Sequence, residues 1–137
     1  MRVHVDSSAF AKRYIDEAGT PEVLAWCERA TAPALSVIAV PELISAFCRR
    51  QRDGRLTGAQ YQTIKRDLLA DIADALVCDT TPHVIAHTVK ALEPGPLRGM
   101  DAIHLGAALA CAAGVFVSAD ARQCEAAGRL GLRVVAL

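Results

Sequence analysis

Four carboxylates in this chain stand where acids are costly. Asp6 closes the run Arg-Val-His-Val-Asp and Glu42 the run Val-Ile-Ala-Val-Pro-Glu, while Asp101 lies in Gly-Met-Asp-Ala-Ile and Asp120 closes Phe-Val-Ser-Ala-Asp. Asp16, Glu17, Asp67, Asp71 and Asp74, by contrast, sit among polar neighbours and read as solvated faces. A single acid at a helix start can simply cap it or complement its dipole. Four acids gathered at one sheet edge would raise one another's pKa unless a cation lay among them. Such a cluster of hard oxygen donors suits Mg²⁺ or Mn²⁺, which keep several waters and bind through few carboxylates plus a substrate phosphate.

The elements that must position these acids alternate along the chain. Residues 3–5, 35–40, 76–78, 115–117 and 132–137 read as short apolar strands. Helix-like segments over 8–14, 41–51, 57–70, 82–92, 101–113 and 122–130 lie between them. Thr20-Pro21-Glu22 supplies a capping hydroxyl, a proline at the first helical position and an acid, predicting a further helix to about residue 30. Tyr61, Ile64, Leu68 and Leu69 are expected on one helix face. The alanines and Gly106 of the 101–113 helix permit close approach to a neighbour. Asp53-Gly54 and Glu93-Pro94-Gly95-Pro96 break the pattern. Short strands, apolar on both faces and separated by helices, indicate an α/β chain with a parallel sheet covered by helices. In such sheets ligands bind beyond the carboxyl ends of the strands, and the four acids fall at such junctions or at helix starts: Asp6 and Asp120 directly after strands, Glu42 in the first turn after the second strand and Asp101 at the start of its helix.

Composition narrows the function further. The 137 residues suit one compact domain over 1–137, with no repeat, linker or low-complexity stretch. Fifteen basic residues balance fifteen acidic ones, which argues against a broad nucleic-acid-coating surface but leaves a local groove open. Apolar residues make up 53%, and mean hydropathy is +0.26, so some apolar surface is expected to meet a partner. Residues 102–119 carry no formal charge, yet His104 and Gly114 interrupt them and Asp101 and Asp120 flank them, so a soluble chain is expected. Cys27, Cys48, Cys78, Cys111 and Cys124 are odd in number and lack close pairing. They read as buried, apolar-like side chains in a reducing cytoplasm.

Four blocks, in order along the whole chain, resemble the PIN-domain ribonucleases, specifically their VapC-type toxins. They are Val-Asp-Ser-Ser-Ala-Phe at 5–10, Ser36 followed by Pro-Glu-Leu at 41–43, Arg-Gly-Met-Asp-Ala-Ile-His-Leu at 98–105, and Val-Ser-Ala-Asp at 117–120. The resemblance implies a PIN-like three-layer α/β/α fold whose central, mainly parallel sheet has four to five short strands. It implies an endoribonuclease dependent on Mg²⁺ or Mn²⁺, leaving 5′-phosphate and 3′-hydroxyl ends, with a VapB-type antitoxin as partner and a homodimer as assembly. Carried over by position, Asp6, Glu42, Asp101 and Asp120 are the metal-binding acids. Ser8 and Ser118 are the supporting hydroxyls, Ser118 where the family often has threonine.

Arg98 and Arg122 lie within three residues of a quartet acid. They can either grip RNA phosphates or pair with those acids. Arg49, Arg50, Arg52 and Arg55 read as a solvated helix end, His83 and His87 as surface histidines, and His104 as a packed residue hydrogen-bonding near the pocket. Two other readings of the acids are a receiver-like phosphoacceptor and a haloacid-dehalogenase-like phosphatase. The first requires an acidic pair at the first strand and a lysine after the last, the second an Asp-x-Asp; none is present. A PIN fold kept as an inert binding module is the remaining alternative, and the complete acid quartet argues against it.

Overall fold

The computed structural model describes all residues, 1–137. Five strands, β1 (Val3–Val5), β2 (Ala34–Ser36), β3 (Leu76–Cys78), β4 (Val115–Ser118) and β5 (Val134–Ala136), form one wholly parallel sheet in the order β3-β2-β1-β4-β5. Helices α1 (Ser7–Phe10), α2 (Thr20–Arg29), α3 (Ala39–Arg52) and α4 (Gly58–Asp74) precede β3. Helices α5 (Pro82–Leu92), α6 (Gly99–Ala110) and α7 (Ala121–Arg129) follow it. The chain winds outward from β1 to β3, then returns to the other side of β1 for β4. The β1/β4 boundary is therefore the topological switch point.

Strand alternation sorts the side chains into two cores. Val3, Val5, Leu35, Val115 and Val117 face α1–α4, where Phe10, Leu43, Phe47 and Leu68 fill the space. Phe116 faces the other way, onto Ala91, Ala102, Leu105, Ala108, Ala126 and Ala127 of α5–α7. The expected α/β/α sandwich is thus observed. Gly106 brings α5 and α6 together: a Cβ there would lie 2.2 Å from Thr88 Oγ1 and 2.7 Å from the Val84 carbonyl oxygen.

Several boundaries differ from expectation for local reasons. The second strand stops at Ser36, whose Oγ accepts from the Ile38 amide at 3.3 Å and turns the chain into α3. Pro41 then sits in the first turn of α3, where no intrahelical partner awaits its missing N–H. Thr20 is not the cap of α2. Gly19, at φ 95°, takes that position, and the Thr20 hydroxyl instead donates to the Lys12 carbonyl at 2.8 Å and accepts from the Glu17 amide at 3.1 Å. The segment after Asp6 is one α-helical turn followed by a 3-10 turn, Ala11–Arg13. The last strand spans Val134–Ala136 alone. Leu69 is 49% exposed, because the buried stripe of α4 runs through Leu68 and leaves its neighbour turned about 100° away. All five cysteines are free thiols and half-buried, not fully buried. No helix is long and apolar enough to cross a membrane.

Candidate active site

Beyond the carboxyl ends of β1 and β4, a cavity of about 540 Å³ is lined by Glu42, Asp101 and Asp120 together with Ser7, Ser8, Arg49, His104 and Gln123. Its acids come from α3, the first turn of α6 and the start of α7. Asp6, the fourth, lies fully buried behind Ser8. The four positions are thus brought to one place. A second, more apolar hollow of about 480 Å³ lies between Tyr14, Ile15 and α4. With Asp16 as its one ionisable side chain besides Tyr14, it lacks the means for hydrolysis.

Asp6 is fixed by its own turn and by the neighbouring strand. Its amide donates to the Val117 carbonyl at 3.1 Å, tying the end of β1 to β4. The Asp6 carboxylate caps α1, accepting from the Ala9 amide at 3.0 Å. Ser8 Oγ donates to the same group at 2.8 Å and Ser118 Oγ at 2.7 Å, so both expected hydroxyls meet the expected acid. Burial raises the Asp6 pKa, and the bonds from Ser118, Ala9 and Ser8 work against that rise.

Glu42 is held differently. His104 Nε2 lies 2.6 Å from Glu42 Oε1, and Ser7 Oγ donates to the same oxygen at 2.8 Å. Partial burial pulls the Glu42 pKa up, but the bond to His104, its charge and the Ser7 hydroxyl outweigh it and leave the value below normal. Asp101 accepts from Gln123 Nε2 at 3.2 Å. Burial first, then the like charges of Asp120 and Glu42, raise the Asp101 pKa. Asp120 caps α7 through the amides of Arg122 and Gln123, at 2.8 and 3.1 Å. Capping and clustering therefore coexist at this residue.

His104 is buried and hydrogen-bonds at the pocket, as its place in an apolar helix near Asp101 suggests. Ser7 and Gln123 also orient the acids, and their sequence signal is weak: one serine among two, and one polar residue on an otherwise ordinary helix face. Arg49, expected on a solvated face, lines the cavity, because the α3 face carrying Glu42 also carries Ser45 and Arg49 at helical spacing. Arg98 and Arg122 are exposed and absent from the cavity lining. Arg98 lines an adjoining hollow with Glu42 and Asp101. Neither arginine forms an ion pair with an acid.

The fold matches solved structures over nearly the full chain. FitAcB from Neisseria gonorrhoeae superposes with a TM-score of 0.70, covering 96% of this chain and 95% of that one at 16% identity. VapBC2 from Rickettsia felis, bound to a DNA fragment from its promoter, superposes with a TM-score of 0.70, covering 100% and 99% at 12% identity. The class defined by this fold is the PIN domain. No family model matches the chain. In sequence it is 32% identical to Ribonuclease VapC45 from Mycobacterium tuberculosis (strain CDC 1551 / Oshkosh) over 108 residues, 79% of this chain and 75% of that protein. The chain belongs to the VapC family of PIN-domain ribonucleases.

Proposed function

We propose that residues 1–137 form a single PIN domain acting as a divalent-metal-dependent endoribonuclease. It would be the toxin of a toxin–antitoxin pair working in the cytoplasm. The observation that carries this is the convergence of Glu42, Asp101 and Asp120, from three helices, on one cavity over buried Asp6. The donor set fits Mg²⁺ or Mn²⁺. It is all oxygen, and the crowding of Asp101 by Asp120 and Glu42 is the kind a cation relieves. Asp6, Asp101, Asp120 and Glu42 would hold the ion directly or through water. When bound, such an ion makes water a stronger nucleophile and offsets negative charge at the phosphate.

The chain's own residues supply position. Ser8 and Ser118 keep the Asp6 carboxylate in one rotamer, while Ser7 and His104 do the same for Glu42. Arg49 at the cavity wall is placed to contact an RNA phosphate, with Arg98 and Arg122 on flanking surface for more distant phosphates. The products would carry 5′-phosphate and 3′-hydroxyl ends. The antitoxin partner is supported by the VapBC2 likeness, and both it and a second copy of the chain have exposed Leu24, Ile85, Val89 and Met100 available for contact.

The test is cleavage of RNA by purified protein. Asp6→Asn should lower the rate by about 100-fold or more while circular dichroism stays unchanged. Chelation should silence the wild type, and added Mn²⁺ should restore it. Cleavage that persists in chelator, or in a folded Asp6→Asn variant, overturns the proposal.

A further inference from the structure

A second donor cluster, of softer atoms, lies at the far end of α6. His4 of β1, Cys78 of β3 and Cys111 at the C-cap of α6 each offer one ligand atom, all within 4.8 Å of one another. Parallel register brings them together. His4 aligns with Ala34 of β2 and Ala34 with Leu76 of β3, so Cys78, two residues further, returns to the face that His4 occupies. Arg2 donates to the Cys111 carbonyl, and the Gly114 amide donates to the Arg2 carbonyl at 2.8 Å, fastening the end of α6 to the start of β1.

The imidazole of His4 is poorly provided for. It is fully buried and stacks on Phe116 at 5.7 Å between centroids. Its Nδ1, the nitrogen turned toward the cysteines, has only the long contact to Cys111 Sγ at 3.9 Å. An ion held through Nδ1 would replace that weak contact with a strong one, while Nε2, on the far side of the ring, has no partner. The two thiol sulfurs lie within 4.8 Å of each other, and both cysteines are half-buried. Hydrogen bonding from Cys78, helped by His4 and Arg2, favours the Cys111 thiolate, while Cys78 is held as the thiol.

We propose that His4, Cys78 and Cys111 form a site for one thiophilic cation of the Zn²⁺ type, distinct from the acidic cavity. A tetrahedral zinc centre with Zn–S near 2.3 Å and Zn–N near 2.0 Å sets its donors roughly 3.5–3.8 Å apart, so closing this cluster needs a movement of about 1 Å. Thiolate and imidazole donors favour such ions, whereas carboxylate and water donors suit Mg²⁺ and Mn²⁺. Binding displaces the Cys78 thiol proton to solvent and leaves the fourth coordination position to water. An ion here ties the end of α6 to β1 and β3. The same helix carries Asp101 roughly 15 Å away, at ten residues' distance.

The experiment titrates the full-length, reduced protein with Co²⁺ alone and follows the near-ultraviolet thiolate-to-cobalt absorption. One equivalent of thiolate-bound cobalt, displaced by Zn²⁺, is the expected result. Cys78→Ser and Cys111→Ser should each abolish the band. The double variant Asp6→Asn, Asp101→Asn should keep it, which separates this site from the acidic one. Zn²⁺ should also raise the melting temperature of the wild type by a few degrees, and that of Cys111→Ser by less. Absence of the band in folded, reduced wild type overturns the proposal. So does a band that survives unchanged in either cysteine variant, or one lost in the acid variant.

Discussion

The two helical layers solve the same packing problem in opposite ways. On the α1–α4 side, space beside the sheet is filled by large side chains, with Phe10, Phe47, Leu43 and Leu68 buried against Val3, Val5 and Leu35. On the α5–α7 side it is removed by small ones: Ala91, Ala102, Ala108, Ala126 and Ala127 let the helices sit close, and Gly106 meets Thr88 almost backbone to backbone. Close helices leave little apolar volume. Buried polar groups instead occupy that layer and its edge, with His4, Thr88, His104 and Gln123 all buried there. The difference teaches where chemistry can be placed. The large-residue layer anchors the sheet, and the small-residue layer carries Asp101, His104 and Gln123 to the cavity and Cys111 to the opposite end.

That contrast can be broken by substitution in either direction. The largest effect expected is from Phe47→Ala, which should cost about 3–5 kcal/mol in denaturant unfolding because a fully buried ring is lost from the bulky layer. A loss well under that would mean the layer collapses to fill the space. Gly106→Ala tests the other side. Its Cβ would press on the Val84 carbonyl, which cannot swing away as a side chain would, so a loss of about 1–3 kcal/mol is expected. An alanine accepted without cost would show that the two helices are free to separate.

His104→Asn sharpens the functional side of the comparison. It removes the 2.6 Å contact that holds Glu42, and about a 10–100-fold loss in RNA cleavage is expected, with little change in melting temperature. Unchanged cleavage would make His104 a packing residue only.

The smallest effect expected is in the pH dependence of stability without metal. Asp6 and Asp101 have raised folded pKa values, so their contribution to stability is fully present below the ordinary aspartate value of about 3.9. It is lost as pH rises through the folded values. Glu42, with a lowered folded pKa, works in the other direction: its contribution is present above the ordinary glutamate value and lost as pH falls through the folded one. Asp101→Asn should therefore flatten the decline of melting temperature from mildly acidic to neutral pH. Mg²⁺ should raise the wild-type melting temperature more at neutral than at acidic pH. An identical pH profile in the variant would show that Asp101 is not crowded.

Much of the architecture was legible because its signals are local. Five apolar runs at helix-length spacing fixed the strand count and the parallel class, and Gly106 among alanines announced the close helix pair. Boundaries failed where a side chain redirected the backbone, as Ser36 does by accepting from Ile38 and as Thr20 does by bonding backward to Lys12. The four acids stood out because each interrupts apolar sequence at a strand end or in the first turn of a helix. Their supporting residues did not. Nothing in the sequence near His104 distinguishes a ring that contacts Glu42 from one that merely packs.

By itself, then, the sequence determined the order of elements, the acids and the family, since propensity, periodicity and motif are properties of neighbouring residues. Only the tertiary structure decided that Arg49 faces the cavity while Arg98 and Arg122 stay outside it, and that His4 meets Cys111 across 107 positions. Strand register and helix rotation set those meetings. Both are fixed by the packing of the whole sheet between its two layers, and no local stretch of chain contains that information.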